Sequence, residues 1–116
     1  MDFFIEMGNE NAEKIVRVIK EFTGSSIGFV KEDFLKEDNV IMLGRTPFRI
    51  DILTSISGVS FEDAYQSSHI YTNDGIDIRC IHINELIANK KSTGRLKDLA
   101  DAEMLEKILK KRQNNK

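Results

Sequence analysis

The run HIYTNDGIDIRCIHI, residues 69–83, leaves this chain little choice. Apolar and polar residues alternate on both sides of Asn73-Asp74-Gly75. Alternation is the period of a strand, and Asn-Asp-Gly is the chemistry of a tight turn. The segment therefore reads as a β-hairpin, with Ile76, Ile78 and Cys80 on one face.

The rest of the chain is read outward from that hairpin. DFFIE at the front suits a short strand. In GNENAEKIVRVIKEFTG, Ala12, Ile15, Val16, Ile19 and Phe22 recur at helical spacing, Asn9 or Asn11 can cap the start, and Gly24 can end the helix. SSIGFVKEDFLKEDN is irregular, with one helical turn near Glu32. VIMLG suits a strand closed by Gly44, and RTP turns the chain into a second strand over 48–53. SFEDAYQSS predicts a short helix capped by Ser60. Two helices close the chain. In the last, Leu99, Met104, Leu105, Ile108 and Leu109 form an apolar stripe, and QNNK reads as a frayed tail. The order predicts an α/β or α+β fold with a mixed sheet.

The chain has 116 residues, 31% charged and 41% hydrophobic, which suits one domain of ordinary globular composition. A net charge of -2 gives no global attraction to nucleic acid or to an anionic membrane, and leaves only a local basic patch for either. Cys80 is the one cysteine, so no internal disulfide forms and a reducing cytoplasm fits. It reads as a small core residue, and the phenylalanines read as core. His69 and His82 are far apart in sequence and read as half-buried strand residues. No apolar run approaches a membrane span.

The predicted strand FRIDIL carries an aspartate between two isoleucines, although Asp is depleted in strands. Asp51 either faces water, paired with Arg49 or Arg45, or holds something. Further along, KKSTGR joins the two last helices and brings Lys90, Lys91 and Arg95 into a small basic patch suited to phosphate. Asp98 and Asp101 read as first-turn acids of the last helix, paired with Arg95 or Lys97.

GRTPFRIDILTSISGVSFEDAY (44–65) and IHINELIANKKSTGRLKDLADAEML (81–105), with residues 2–24 in front, together resemble the nucleotidyltransferase superfamily. The likeness is to the bacterial minimal nucleotidyltransferases and, more distantly, to the nucleotidyltransferase toxins of abortive-infection systems. It implies a mixed sheet flanked by helices in one domain over 1–116, incomplete at its N-terminus. In such proteins three strand carboxylates bind two Mg²⁺ ions and a nucleoside triphosphate, and the ions stabilise both oxygens of an in-line displacement. Asp2 resembles the second carboxylate and Asp51 the third, as metal-binding and catalytic residues. The first aspartate and its glycine loop have no counterpart here. Lys90, Arg95 and Lys97 stand at nucleotide- or phosphate-binding positions, with Asp98 and Asp101 as site or structural carboxylates.

The implied function is a nucleotidyltransferase-like protein, inactive or impaired alone, that keeps Mg²⁺ or nucleotide binding or a regulatory role. One alternative is a fragment, or a product with a mis-called start, of an active enzyme that transfers NMP from NTP. Another is a small oligomeric interaction protein without ligand. A homodimer is expected, burying Phe3, Phe4, Ile5 or the helix over 15–22.

Overall fold

The computed structural model describes residues 1–24 and 28–114. It has the α+β content expected, with helices and two small sheets. Its contacts gather into two units, Met1–Ile56 and Ser57–Lys116. No shift of composition marks that boundary. Among the described residues no helix is long and apolar enough to cross a membrane.

In the first unit, β1 (Asp2–Phe4) pairs in parallel with β3 (Ile50–Leu53), which pairs antiparallel with β2 (Val40–Leu43). The sheet is thus mixed, with β3 central. Side chains alternate across it. One face presents Ile41 and Ile52, which cluster with Ala12 and Ile19 of α1 (Asn9–Thr23) and with Phe34. Phe34 ends a short 3₁₀ turn, Lys31–Phe34, in the segment read as irregular, of which residues 25–27 lie outside the described residues. The Asp33 carboxylate accepts from the Val30 N–H at 2.9 Å and holds that turn's start.

Local details depart from the sequence reading. Gly8 stands at the N-cap of α1, and Asn11 gives its side chain to the Glu6 carbonyl at 2.8 Å. Gly24 does close the helix, in the left-handed conformation that favours glycine. Phe48 is not in the strand. Its N–H donates to the Arg45 carbonyl in a turn, and its ring is 86% exposed. Phe22 is also exposed, so the phenylalanines are not uniformly core. Thr54 is buried and accepts the Asn39 N–H at 2.9 Å while donating to the Lys36 carbonyl at 2.6 Å, which pins the loop before β2 to the end of β3.

In the second unit, Ser60 caps α2 (Phe61–Ser67) by accepting from the Asp63 N–H at 3.2 Å. The hairpin forms as read: β4 (His69–Asn73) and β5 (Ile76–Cys80) pair antiparallel across Asp74-Gly75, both at positive φ. It is largely exposed, Ile76 and Ile78 included, and Cys80 is only half-buried. Arg79 lies 4.2 Å over the Tyr65 ring and ties the hairpin to α2. Two helices follow, α3 (Ile83–Thr93) and α4 (Leu96–Asn114), joined through a left-handed Gly94. Helix α4 runs through Asn114, so Gln113 and Asn114 of the expected tail are helical, and 115–116 lie outside the described residues. The apolar stripe read on α4 is turned partly outward. Leu99, Met104 and Ile108 are exposed, whereas Asp98 and Ala102 are buried.

Candidate functional site

Asp2 and Asp51 are direct neighbours in the β1–β3 ladder. Cross-strand neighbours share a face, so both carboxylates project from one side of the sheet, together with Met42 from β2. This is the face opposite the Ile41–Ile52 core. The ladder bonds around them have ordinary lengths. The Asp51 N–H donates to the Met1 carbonyl at 2.9 Å, and the Ile5 N–H to the Leu53 carbonyl at 3.0 Å.

The two acids sit differently. Asp2 is exposed, while the Asp51 side chain keeps only 14% of its surface. Arg49 supplies its counter-charge, with Nη2 donating to Oδ2 at 3.1 Å. Nε stands 2.8 Å from Oδ1 but off the line a hydrogen bond needs, so that buried oxygen is paired by charge and accepts no directed bond. An acceptor left so has capacity for another donor or a cation.

Mg²⁺ is commonly held by one or two carboxylates, with water and phosphate oxygens completing its octahedron. Asp2 and Asp51 meet that minimum. Among the described residues no group of three His, Cys, Asp or Glu side chains is placed to hold a metal ion. A pair of carboxylates suits one ion, and a two-metal cluster needs more ligands than the described residues bring together.

The residues read as a phosphate patch form a different structure. Asp98, buried in the first turn of α4, accepts from Thr93 Oγ1 at 2.7 Å and from Arg95 Nε at 2.8 Å. Lys90 Nζ stands 3.6 Å from Asp98 and 3.4 Å from Asp101. Lys91 pairs with Glu106. Lys90 and Arg95 therefore stand against carboxylates within a junction that locks α3 to α4. Lys97 is exposed and makes no ion pair among the described residues. Thr93 went unnoticed in the sequence. Its signal is a hydroxyl in the last turn of one helix, five residues before the acid that opens the next.

This junction carries a prediction. The Thr93 hydrogen bond, then Arg95 and Lys90, hold the Asp98 carboxyl below its ordinary 3.8, against the opposing pull of burial. A lowered carboxyl stabilises the fold above its unfolded value, and that contribution drains away as pH falls through the folded one. Asp98→Asn should melt below the parent at neutral pH, and the gap should narrow below pH 3.8. Thermal melts of both proteins down the acid range check this; a gap independent of pH would reject it.

No family model, curated protein or solved structure matches this chain.

Proposed function

We propose that this chain is a nucleotidyltransferase-like module that binds Mg²⁺, with or without a nucleoside triphosphate, at Asp2 and Asp51. The observation that carries the reading is their direct pairing on one sheet face, with the buried Asp51 Oδ1 lacking a directed hydrogen bond. When bound, the ion would supply charge neutralisation to phosphate oxygens. The protein's part is to hold two carboxylates on adjacent strands and to release Arg49 from Asp51. A freed guanidinium at that position is suited to a phosphate, which it grips better than a lysine would.

Binding ranks ahead of transfer in this reading, because only two carboxylates are assembled among the described residues. The direct experiment titrates the protein with MnCl₂, as a paramagnetic stand-in for Mg²⁺, with and without ATP. Selective broadening of the Asp2 and Asp51 amide signals is expected. No broadening, or broadening spread over the surface acids, would end the proposal. Labelled nucleoside triphosphates in the same buffer test the alternative: transfer that disappears in Asp51→Ala would make the chain an enzyme.

The reading as an interaction protein has its own support. Phe3, Ile15, Val18, Phe22, Leu43 and Ile50 line an apolar groove of about 410 Å³ in the first unit. Strand β1 beside it is a sheet edge. The expected homodimer would use this region, since monomers seldom expose large contiguous apolar patches. Light scattering over a dilution series should give twice the chain mass of 13.3 kDa. A monomer that persists at high micromolar concentration would exclude the dimer.

A further inference from the structure

His82 is the N-cap of α3 and not a strand residue, and its Nδ1 accepts from the Asn84 N–H at 3.1 Å. A ring nitrogen that accepts a hydrogen bond carries no proton, so the neutral ring bears its hydrogen on Nε2. The same Nδ1 stands 3.6 Å from Glu85 Oε2. That oxygen is buried and accepts no hydrogen bond. Nδ1 thus faces two groups with opposite needs: an amide that must donate and a carboxylate that must accept. The neutral ring serves the amide and leaves the carboxylate oxygen unpaired. A protonated ring serves the carboxylate and leaves the amide without its acceptor. Each arrangement satisfies one group only, and the proton selects which.

His69, from β4, places its ring 4.9 Å from that of His82. Cys80 of β5 stands opposite His69 in the ladder. Arg79, the hairpin's one arginine or lysine, is turned onto Tyr65 and Ser68. Glu85 is the charged group on His82's own helix that faces Nδ1.

We propose that His82 is a proton-operated cap: neutral, it holds the first turn of α3; protonated, it turns to Glu85 and lets that turn open. Imidazole is the side chain whose charge ordinarily changes between about pH 5 and 8. The proposal concerns the second unit and is independent of the Asp2–Asp51 reading.

Amide hydrogen exchange followed by NMR tests it. After correction for the intrinsic pH dependence, Asn84 should open about fivefold more readily at the acid end of that range than at the alkaline end, the scale of a lost cap. His82→Asn keeps a good capping side chain that does not titrate, so the ratio should fall to one. Glu85→Gln removes the competing charge and should reduce it. In the parent protein the Asn84 amide shift should follow the His82 ring titration with the same midpoint. A parent ratio of one, a ratio undiminished in His82→Asn, or an Asn84 shift that ignores the His82 titration would each overturn the proposal.

Discussion

Asp51→Asn should abolish the divalent-cation response, and Arg49→Gln should strengthen it. Asp51 supplies a charged ligand that Asn replaces with a neutral one, while Asp2 by itself is an exposed carboxylate of little affinity. Removing even an outer-shell partner of a metal costs roughly 10–100-fold, so loss of a direct ligand should exceed tenfold. Arg49 acts in the opposite sense. Its guanidinium lies 2.8 Å from the oxygen a metal would take, and the two cations compete. Arg49 is half-exposed although its partner oxygen is covered; an ion pair open to solvent is worth about 0–1 kcal/mol, so removing the guanidinium should tighten binding by at least a few-fold. The size of the Asp51 loss distinguishes a site from general surface charge, which gives the same signs at far smaller magnitude. Loss of any one charge pair on an ordinary surface would alter a titration slightly and without regard to position. Equal Mn²⁺ curves for the parent and Asp51→Asn would remove the metal site. A weaker curve for Arg49→Gln would show that the guanidinium supports the ion and does not oppose it.

Phe34→Ala should cost the first unit about 3–5 kcal/mol, the range for truncating a buried phenylalanine. Whole domains are stable by only about 5–15 kcal/mol. Phe34 is fully buried, and the cluster of Ala12, Ile19, Ile41 and Ile52 surrounds it. Its ring also lies tilted against that of Phe29, with centroids 6.4 Å apart. The neighbours sit on a helix and two strands that are each held by other contacts, so they cannot collapse into the vacated space. Urea unfolding followed by circular dichroism measures the loss. A change below about 1 kcal/mol would mean that the core is not organised around this ring. Phe48→Ala is the matched control. Its ring is exposed, and it should be close to neutral.

Much of the local structure could be read from the residues. The hairpin turn, the Ser60 cap and the Gly24 end of α1 all formed as read. Each depends on residues within a few positions of one another, where the sterics of φ and the reach of a side chain decide the outcome. The faces were read less well. The stripe on α4 looked apolar along Leu99, Met104 and Ile108, yet the buried face runs through Asp98 and Ala102. The reason is the junction. Asp98 is drawn inward by Thr93, Arg95 and Lys90, and it shares its helix face with buried Ala102 and half-buried Leu105 and Leu109.

The sequence by itself therefore determined the kinds of element, their order and most of their ends, because those follow from periodicity and from near-neighbour hydrogen bonds. It also marked Asp51 as out of place in a strand. Only the tertiary structure decided what stands beside it. The parallel pairing of β1 with β3 joins segments separated by a helix and another strand, and a shift of one residue would have sent Asp2 to the opposite face. The meeting of the His69 and His82 rings has the same origin, since the β4–β5 ladder brings the first residue of one strand beside the chain leaving the other. Such contacts depend on register and on packing between distant segments, and no local pattern of residues specifies them.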